Sequence, residues 1–124
     1  MAKTHDDLQL PSTPTSVGDA RRFVGSALRE LGAGAASEVA ALLTSELVTN
    51  AVVHVGGAIR IRVVGSSDTV RIAVEDTSPV IPEPREAGDR AVTGRGLNLV
   101  EHLALRWGVD AIDGGKVVWF ELPI

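Results

Sequence analysis

The chain has 124 residues, of which 44% are hydrophobic and 23% are charged, a balance typical of one globular domain. Its net charge of −4 argues against nucleic-acid binding driven by electrostatics. The sequence has no cysteine, which excludes disulfides, thiolate metal sites and cysteine nucleophiles and fits a cytoplasmic protein. The polar N-terminus and the lack of about 18 consecutive apolar residues predict neither a signal peptide nor a membrane span.

The first half of the chain predicts a short strand followed by two helices. Leu8–Leu10 forms the predicted strand, and residues 1–7 are expected to be a flexible segment ahead of a single domain over 8–124. The first helix is predicted to begin at Ser16, capped by Ser16 and Asp19, and to end before Gly32. The second is predicted from about residue 35 to residue 55.

The second half predicts two β-hairpins with a long loop and a helix between them. Residues 59–63 and 70–74 alternate apolar and other side chains around a Gly-Ser-Ser-Asp turn, which is typical of a hairpin. Residues 76–93 hold three prolines and predict a loop. The Gly-Arg-Gly segment at 94–96 then leads into a helix from Leu97, and residues 107–112 and 116–122 give the second hairpin. The predicted fold is an α+β two-layer sandwich, a mostly antiparallel sheet with three helices on one face.

The second helix places polar side chains inside its apolar face. With Leu43 at zero on a helical wheel, Glu46 lies near −60°, Asn50 near −20° and His54 near +20°. Burying such groups without partners costs several kcal/mol. These groups therefore either pair within a core network or border a cavity that holds a ligand.

Two further segments point to the same space. Asp76 follows the apolar positions of its strand in phase, so its carboxylate is predicted to face the helices. Gly94 and Gly96 lie where a helix begins, which suits close approach of a phosphate, although neither the Walker nor the Rossmann spacing is present. Each feature alone is compatible with a core network or a turn, but their convergence favours a ligand site.

Together these segments resemble the histidine-kinase-like ATPase superfamily, which has the Bergerat ATP-binding fold. Residues 46–54 (ELVTNAVVH) resemble its N-box, residues 74–79 (VEDTSP) its adenine-side box and residues 94–100 (GRGLNLV) its glycine box. Residues 106–108 and 115–122 are similar to the closing hairpin of small actinobacterial members related to anti-sigma-factor serine kinases. The resemblance covers about residue 8 to the end. It departs from the family in one place, because Thr77, Ser78 and Pro79 stand where the Asp-x-Gly-x-Gly pattern has its glycines, which is expected to stiffen the turn.

The resemblance implies a site for ATP and Mg²⁺. It implies that Asn50 binds Mg²⁺ through its amide oxygen, that Glu46 is the general base, and that Asp76 accepts a hydrogen bond from the adenine amino group. His54 is expected to line the pocket without a chemical role. The residues implied to contact the nucleotide on the phosphate side are Gly94, Arg95, Gly96 and Leu97.

The resemblance also implies a function and partners. It implies a cytoplasmic protein kinase that phosphorylates a serine of a small anti-sigma antagonist (an anti-anti-sigma protein), with a sigma factor as a competing partner. Related anti-sigma kinases dimerise, so a homodimer is one expectation. Two alternatives stay open: a non-catalytic, nucleotide-gated protein-binding module, and an α+β interaction domain that binds no nucleotide.

Overall fold

The computed structural model describes residues 3–78 and 92–124, and the side chains of 7–78 and 98–124. Most of the predicted loop, residues 79–91, lies outside the described residues. A short 3-10 helix over Gly34–Ala36 precedes the second α-helix. The strands and α-helices of the described residues are β1 (Lys3–Leu10), α1 (Thr15–Glu30), α2 (Ser37–His54), β2 (Ile59–Gly65), β3 (Thr69–Asp76), α3 (Val92–Leu103), β4 (Arg106–Ile112) and β5 (Gly115–Pro123).

The five strands of the described residues form one sheet in the order β1-β2-β3-β5-β4. Every neighbouring pair in it is antiparallel. Both predicted hairpins are present, since β2 pairs with β3 and β4 with β5. The predicted α+β sandwich is therefore confirmed.

The register of the sheet gathers its apolar side chains on one face. Ile61 lies opposite Val74, and Ile72 opposite Phe120; all four are buried. The helices cover this face, with α2 packed against α1, α3 and β3. Burial of each such large side chain stabilises the fold by about 1.5–3 kcal/mol, so this interface supplies most of the core.

The ends of α1 differ in how well the sequence predicts them. Gly32 follows the helix with φ of 77°, the left-handed conformation expected after a helix C-terminus. The predicted cap is wrong. The helix begins at Thr15, its N-cap residue Pro14 makes no side-chain cap, and Ser16 Oγ donates instead to the Pro11 carbonyl at 2.6 Å.

Strand β1 begins at Lys3, five residues before the predicted strand, and therefore overlaps the segment expected to be flexible. Its pairing with β2 places Asp7 opposite Arg62. The Arg62 Nε donates to Asp7 at 2.9 Å, and Arg60 also pairs with it. The hydrogen bond from Arg62 holds the pKa of Asp7 below its ordinary value.

A second ion-pair group lies on the outer sheet face, away from the helices. Glu121 accepts from Arg71 Nε at 2.8 Å and from Arg106 Nε at 2.7 Å. Burial acts to raise the pKa of Glu121, but the hydrogen bonds from the two arginines outweigh it and the pKa falls below its ordinary value. Arg71 also lies over the Trp119 ring, 3.9 Å from its centroid. Arg71 and Arg106 on this face are thus held by local contacts.

By length and composition alone, one stretch of the described residues, Gly34–His54, could cross a membrane, with a mean hydropathy of 1.2. The sequence prediction did not identify it as such. Its residues Leu43, Leu47, Val48 and Ala51 are buried against the rest of the domain, which is the pattern of a core helix.

Candidate functional site

The polar row on α2 is only partly buried. Asn50 is 8% exposed, Glu46 is half-buried and His54 is exposed. The wheel prediction for Asn50 agrees with the structure, whereas that for His54 is wrong. The buried positions of α2 extend from Asn50 towards Val48 around the wheel, and His54 is the last residue of the helix, beyond the packed part. A helical wheel shows on which side of the helix a side chain lies, but not how deeply that part of the helix is buried in the domain. It therefore fails at the helix end.

The amide oxygen of Asn50 is one of three buried side-chain polar atoms of the described chain without a hydrogen-bond partner, the other two being the hydroxyls of Thr44 and Ser45 on the same helix. Asn50 Oδ1 is fully covered, yet it has no hydrogen-bond partner within the described chain. An unpaired buried acceptor costs about 1–3 kcal/mol. Such an atom is costly to the fold on its own and is well placed to receive a ligand.

The carboxylate of Asp76 lies at the end of β3 and faces the helix layer. The buried positions of the strand are Val70, Ile72, Val74 and Asp76, as the alternation predicts. The backbone N–H of Ser78 donates to Asp76 Oδ1 at 2.9 Å, which fixes the orientation of the carboxylate. The predicted inward acid is therefore held firmly in place.

Asp76 also has a partner that sequence reasoning did not identify. Lys116, the second residue of β5, lies directly opposite it in the sheet. The Lys116 ammonium donates to Asp76 Oδ1 at 2.9 Å and to Oδ2 at 2.8 Å, and both side chains are only 8% exposed. A lysine among the apolar residues of a closing strand was the available signal, but its partner depends on the register of the hairpin.

Glycines bring the end of β3 close to its neighbours. A Cβ added at Gly115 would lie 2.0 Å from the Asp76 carbonyl oxygen, and one at Gly57 would lie 2.8 Å from Thr77 Oγ1. Thr77 Oγ1 in turn donates to the Gly56 carbonyl at 3.2 Å. From the sequence, Gly115 is identified only as the first residue of the segment 115–122 that resembles the closing hairpin of the family. Its close approach to the backbone beside Asp76 is a second feature that the sequence did not reveal.

A hydrogen bond of Thr77 also connects the strand that carries Asp76 with the helix that carries Asn50. Gly56 follows the C-terminal end of α2, and Thr77 follows Asp76, so the end of β3 meets the end of α2. Asn50 lies about 6 Å along the helix axis from His54, the last residue of α2. The amide and the carboxylate thus belong to one end of the helix–sheet interface.

The predicted glycine segment lies within α3, not ahead of it. The helix begins at Val92, so Gly94, Arg95, Gly96 and Leu97 all lie in its first two turns. Glycine is disfavoured in a helix interior, but near the N-terminus its cost is smaller and the backbone N–H groups there have no intrahelical partners. The side chains of 92–97 lie outside the described part of the chain. Their predicted contacts with nucleotide stay predictions.

The fold and this arrangement define an α+β domain in which helices cover one face of an antiparallel sheet. The family model for the histidine kinase-like ATPase domain matches residues 10–122, and the chain belongs to that family. Its function is ATP binding in a regulatory role. No curated protein matches the chain.

Proposed function

We propose that this domain is a Mg²⁺- and ATP-dependent protein kinase that phosphorylates a serine of a small anti-sigma antagonist. The proposal includes a competing sigma factor as a second protein partner. The observation that carries it is the buried, unpaired Asn50 Oδ1 on the same helix as Glu46, one turn away. A helix that holds an amide ligand and a carboxylate at this spacing combines metal binding with proton transfer.

The residues present fit a magnesium ion shared with phosphates. Mg²⁺ prefers oxygen ligands and is commonly held by one or two protein groups together with substrate phosphates. Asn50 Oδ1 is an oxygen ligand of this kind, and its lack of a partner in the described chain is what a site completed by a ligand would show. The described residues contain no group of three His, Asp or Glu side chains that could hold a metal alone. When bound, the ion neutralises phosphate charge.

The side chains of this chain supply the remaining steps of the proposed reaction. The Asp76 carboxylate accepts a hydrogen bond from the base, and the first turns of α3 offer backbone N–H groups to the phosphates. Glu46 takes the proton of the serine hydroxyl as the new O–P bond forms and the bond between the β- and γ-phosphates breaks. Phosphoserine and ADP are the products.

A phosphotransfer assay tests this assignment. The chain is incubated with Mg²⁺, γ-labelled ATP and protein extract from its own host, and labelled phosphoserine is located by mass spectrometry. We expect Glu46→Gln to retain ATP binding and to lose at least about 100-fold of the transfer rate, the usual contribution of a general base. Transfer by Glu46→Gln at the wild-type rate would show that Glu46 is not the base.

The second candidate function is a non-catalytic, nucleotide-gated binding module. The observation that favours it is the altered adenine-side box, in which Thr77 and Ser78 tie the turn to Gly56 and Asp76. A turn held in this way suits a stable nucleotide-bound state. In the same assay, wild-type protein that binds ATP but labels no protein would support this module over the kinase.

A further inference from the structure

The buried pair of Asp76 and Lys116 is a feature that neither the fold nor the proposed reaction requires. Its two side chains sit opposite each other at the ends of β3 and β5, on the face that the helices cover. Taking two charges out of water is costly, and the mutual attraction offsets that cost only when the geometry is good. The two short contacts at 2.8 and 2.9 Å meet that condition. The position of the pair, at the acid proposed to bind the base, suggests a role in recognition.

An inventory of hydrogen bonds shows what the pair can still offer a ligand. A carboxylate has about four lone-pair sites. Within the described chain Oδ1 accepts from Lys116 and from the Ser78 N–H, and Oδ2 accepts from Lys116. As far as the described residues go, one acceptor site therefore remains on Oδ2. The ammonium has three N–H groups, of which the described residues use two, so within the described chain one donor remains.

The chemical groups at the 6-position of a purine distinguish this pair from a lone carboxylate. Adenine has an amino donor there, next to the acceptor N1, whereas hypoxanthine and guanine have a keto acceptor next to an N1–H donor. A carboxylate alone offers only acceptors, so it binds the amino group and repels the keto group. A carboxylate with an adjacent ammonium offers both, and satisfies either arrangement.

We propose that Lys116 makes the base site accept 6-oxopurine nucleotides as well as ATP. This inference rests on the proposed role of Asp76 in binding the base. The Lys116 ammonium touches the Asp76 carboxylate at 2.8 Å, so a base that reaches the carboxylate also comes close to the ammonium. Lys116 is then a specificity-determining residue of this chain.

The test compares ATP with inosine triphosphate, which differs from ATP at the 6-position and in the proton on N1 and lacks the extra amino group of guanine. Both are titrated calorimetrically with Mg²⁺ into the wild type, Lys116→Met and the matched control Lys116→Arg, which keeps the donors. We expect the wild type to bind the two nucleotides within about tenfold, and Lys116→Met to shift the ratio towards ATP by about tenfold or more, the effect of one unpaired buried group. Lys116→Arg should keep a ratio near that of the wild type.

Several results would overturn the inference, and they are separable from failure of the proposed function. Wild-type discrimination against inosine triphosphate by more than about 100-fold would overturn it even if Lys116→Met does not fold. An unchanged ratio in a folded Lys116→Met would also do so. Wild-type protein that binds both nucleotides but transfers no phosphate would refute the kinase proposal and leave the role of Lys116 standing. Unaltered ATP binding by Asp76→Ala would instead remove the base assignment on which the inference rests.

Discussion

Replacement of Gly115 by alanine tests the close packing behind Asp76. An added Cβ would lie 2.0 Å from the Asp76 carbonyl oxygen and 3.1 Å from the Thr77 Cα. Both contacts are with backbone, so no side chain can rotate away, and strands β3 and β5 must separate locally by roughly 1 Å. Overpacking of this kind costs about 1–3 kcal/mol, and a weakened ladder hydrogen bond adds about 1 kcal/mol.

We therefore expect Gly115→Ala to lower the free energy of unfolding by about 3 kcal/mol. Urea denaturation measures it: with a slope of about 1.5 kcal/mol per molar, the midpoint should fall by about 2 M. The matched control is Gly114→Ala, at a neighbouring residue with φ of 74° and nothing within 4 Å of the added Cβ. Only the strain of positive φ acts there, costing about 1–2 kcal/mol. A loss at Gly115 no larger than that at Gly114 would refute the reasoning.

Two further predictions concern charged residues. Arg106 and Arg71 lower the pKa of Glu121 below its ordinary value of 4.5. The ion pairs of Glu121 therefore stabilise the fold at pH values above 4.5, and this contribution is lost as the pH falls through the lowered pKa. Glu121→Gln should therefore reduce stability by about 1 kcal/mol at pH 7 and flatten its dependence on pH below about 5 in urea titrations; an unchanged pH dependence would contradict this. Because His54 is exposed, His54→Gln should leave ATP affinity within about twofold of wild type by calorimetry, and a tenfold loss would place His54 in the pocket after all.

The α-helical and strand periodicities were enough to predict the main architecture. The apolar spacing of α2 and the alternation of β3 predict that Asn50 and Asp76 lie on the buried side, where the structure has them. Both predictions depend only on local geometry, 3.6 residues per turn for the helix and two per repeat for the strand. The antiparallel pairing of the hairpins followed from short polar turns.

Features set by contacts distant in sequence were not predictable in the same way. Lys116 meets Asp76, 40 positions away in the sequence, because β5 pairs with β3, and a one-residue change of register would turn it to the other face. The close approach of Gly115 depends on the same register. The wheel fails at His54 for a different reason, since it assumes that every residue of the helix lies equally deep in the domain, whereas His54 is exposed at the helix end.

In the proposed function, the amide of Asn50 binds a metal ion held on the phosphates of ATP. The most direct test is the titration of ATP into the wild type and Asn50→Ala, each with Mg²⁺ and with excess chelator, after circular dichroism has shown that both are folded. We expect Mg²⁺ to strengthen ATP binding to the wild type by about 100-fold and to have little effect on Asn50→Ala. Equal dependence on Mg²⁺ in the two proteins would contradict the claim.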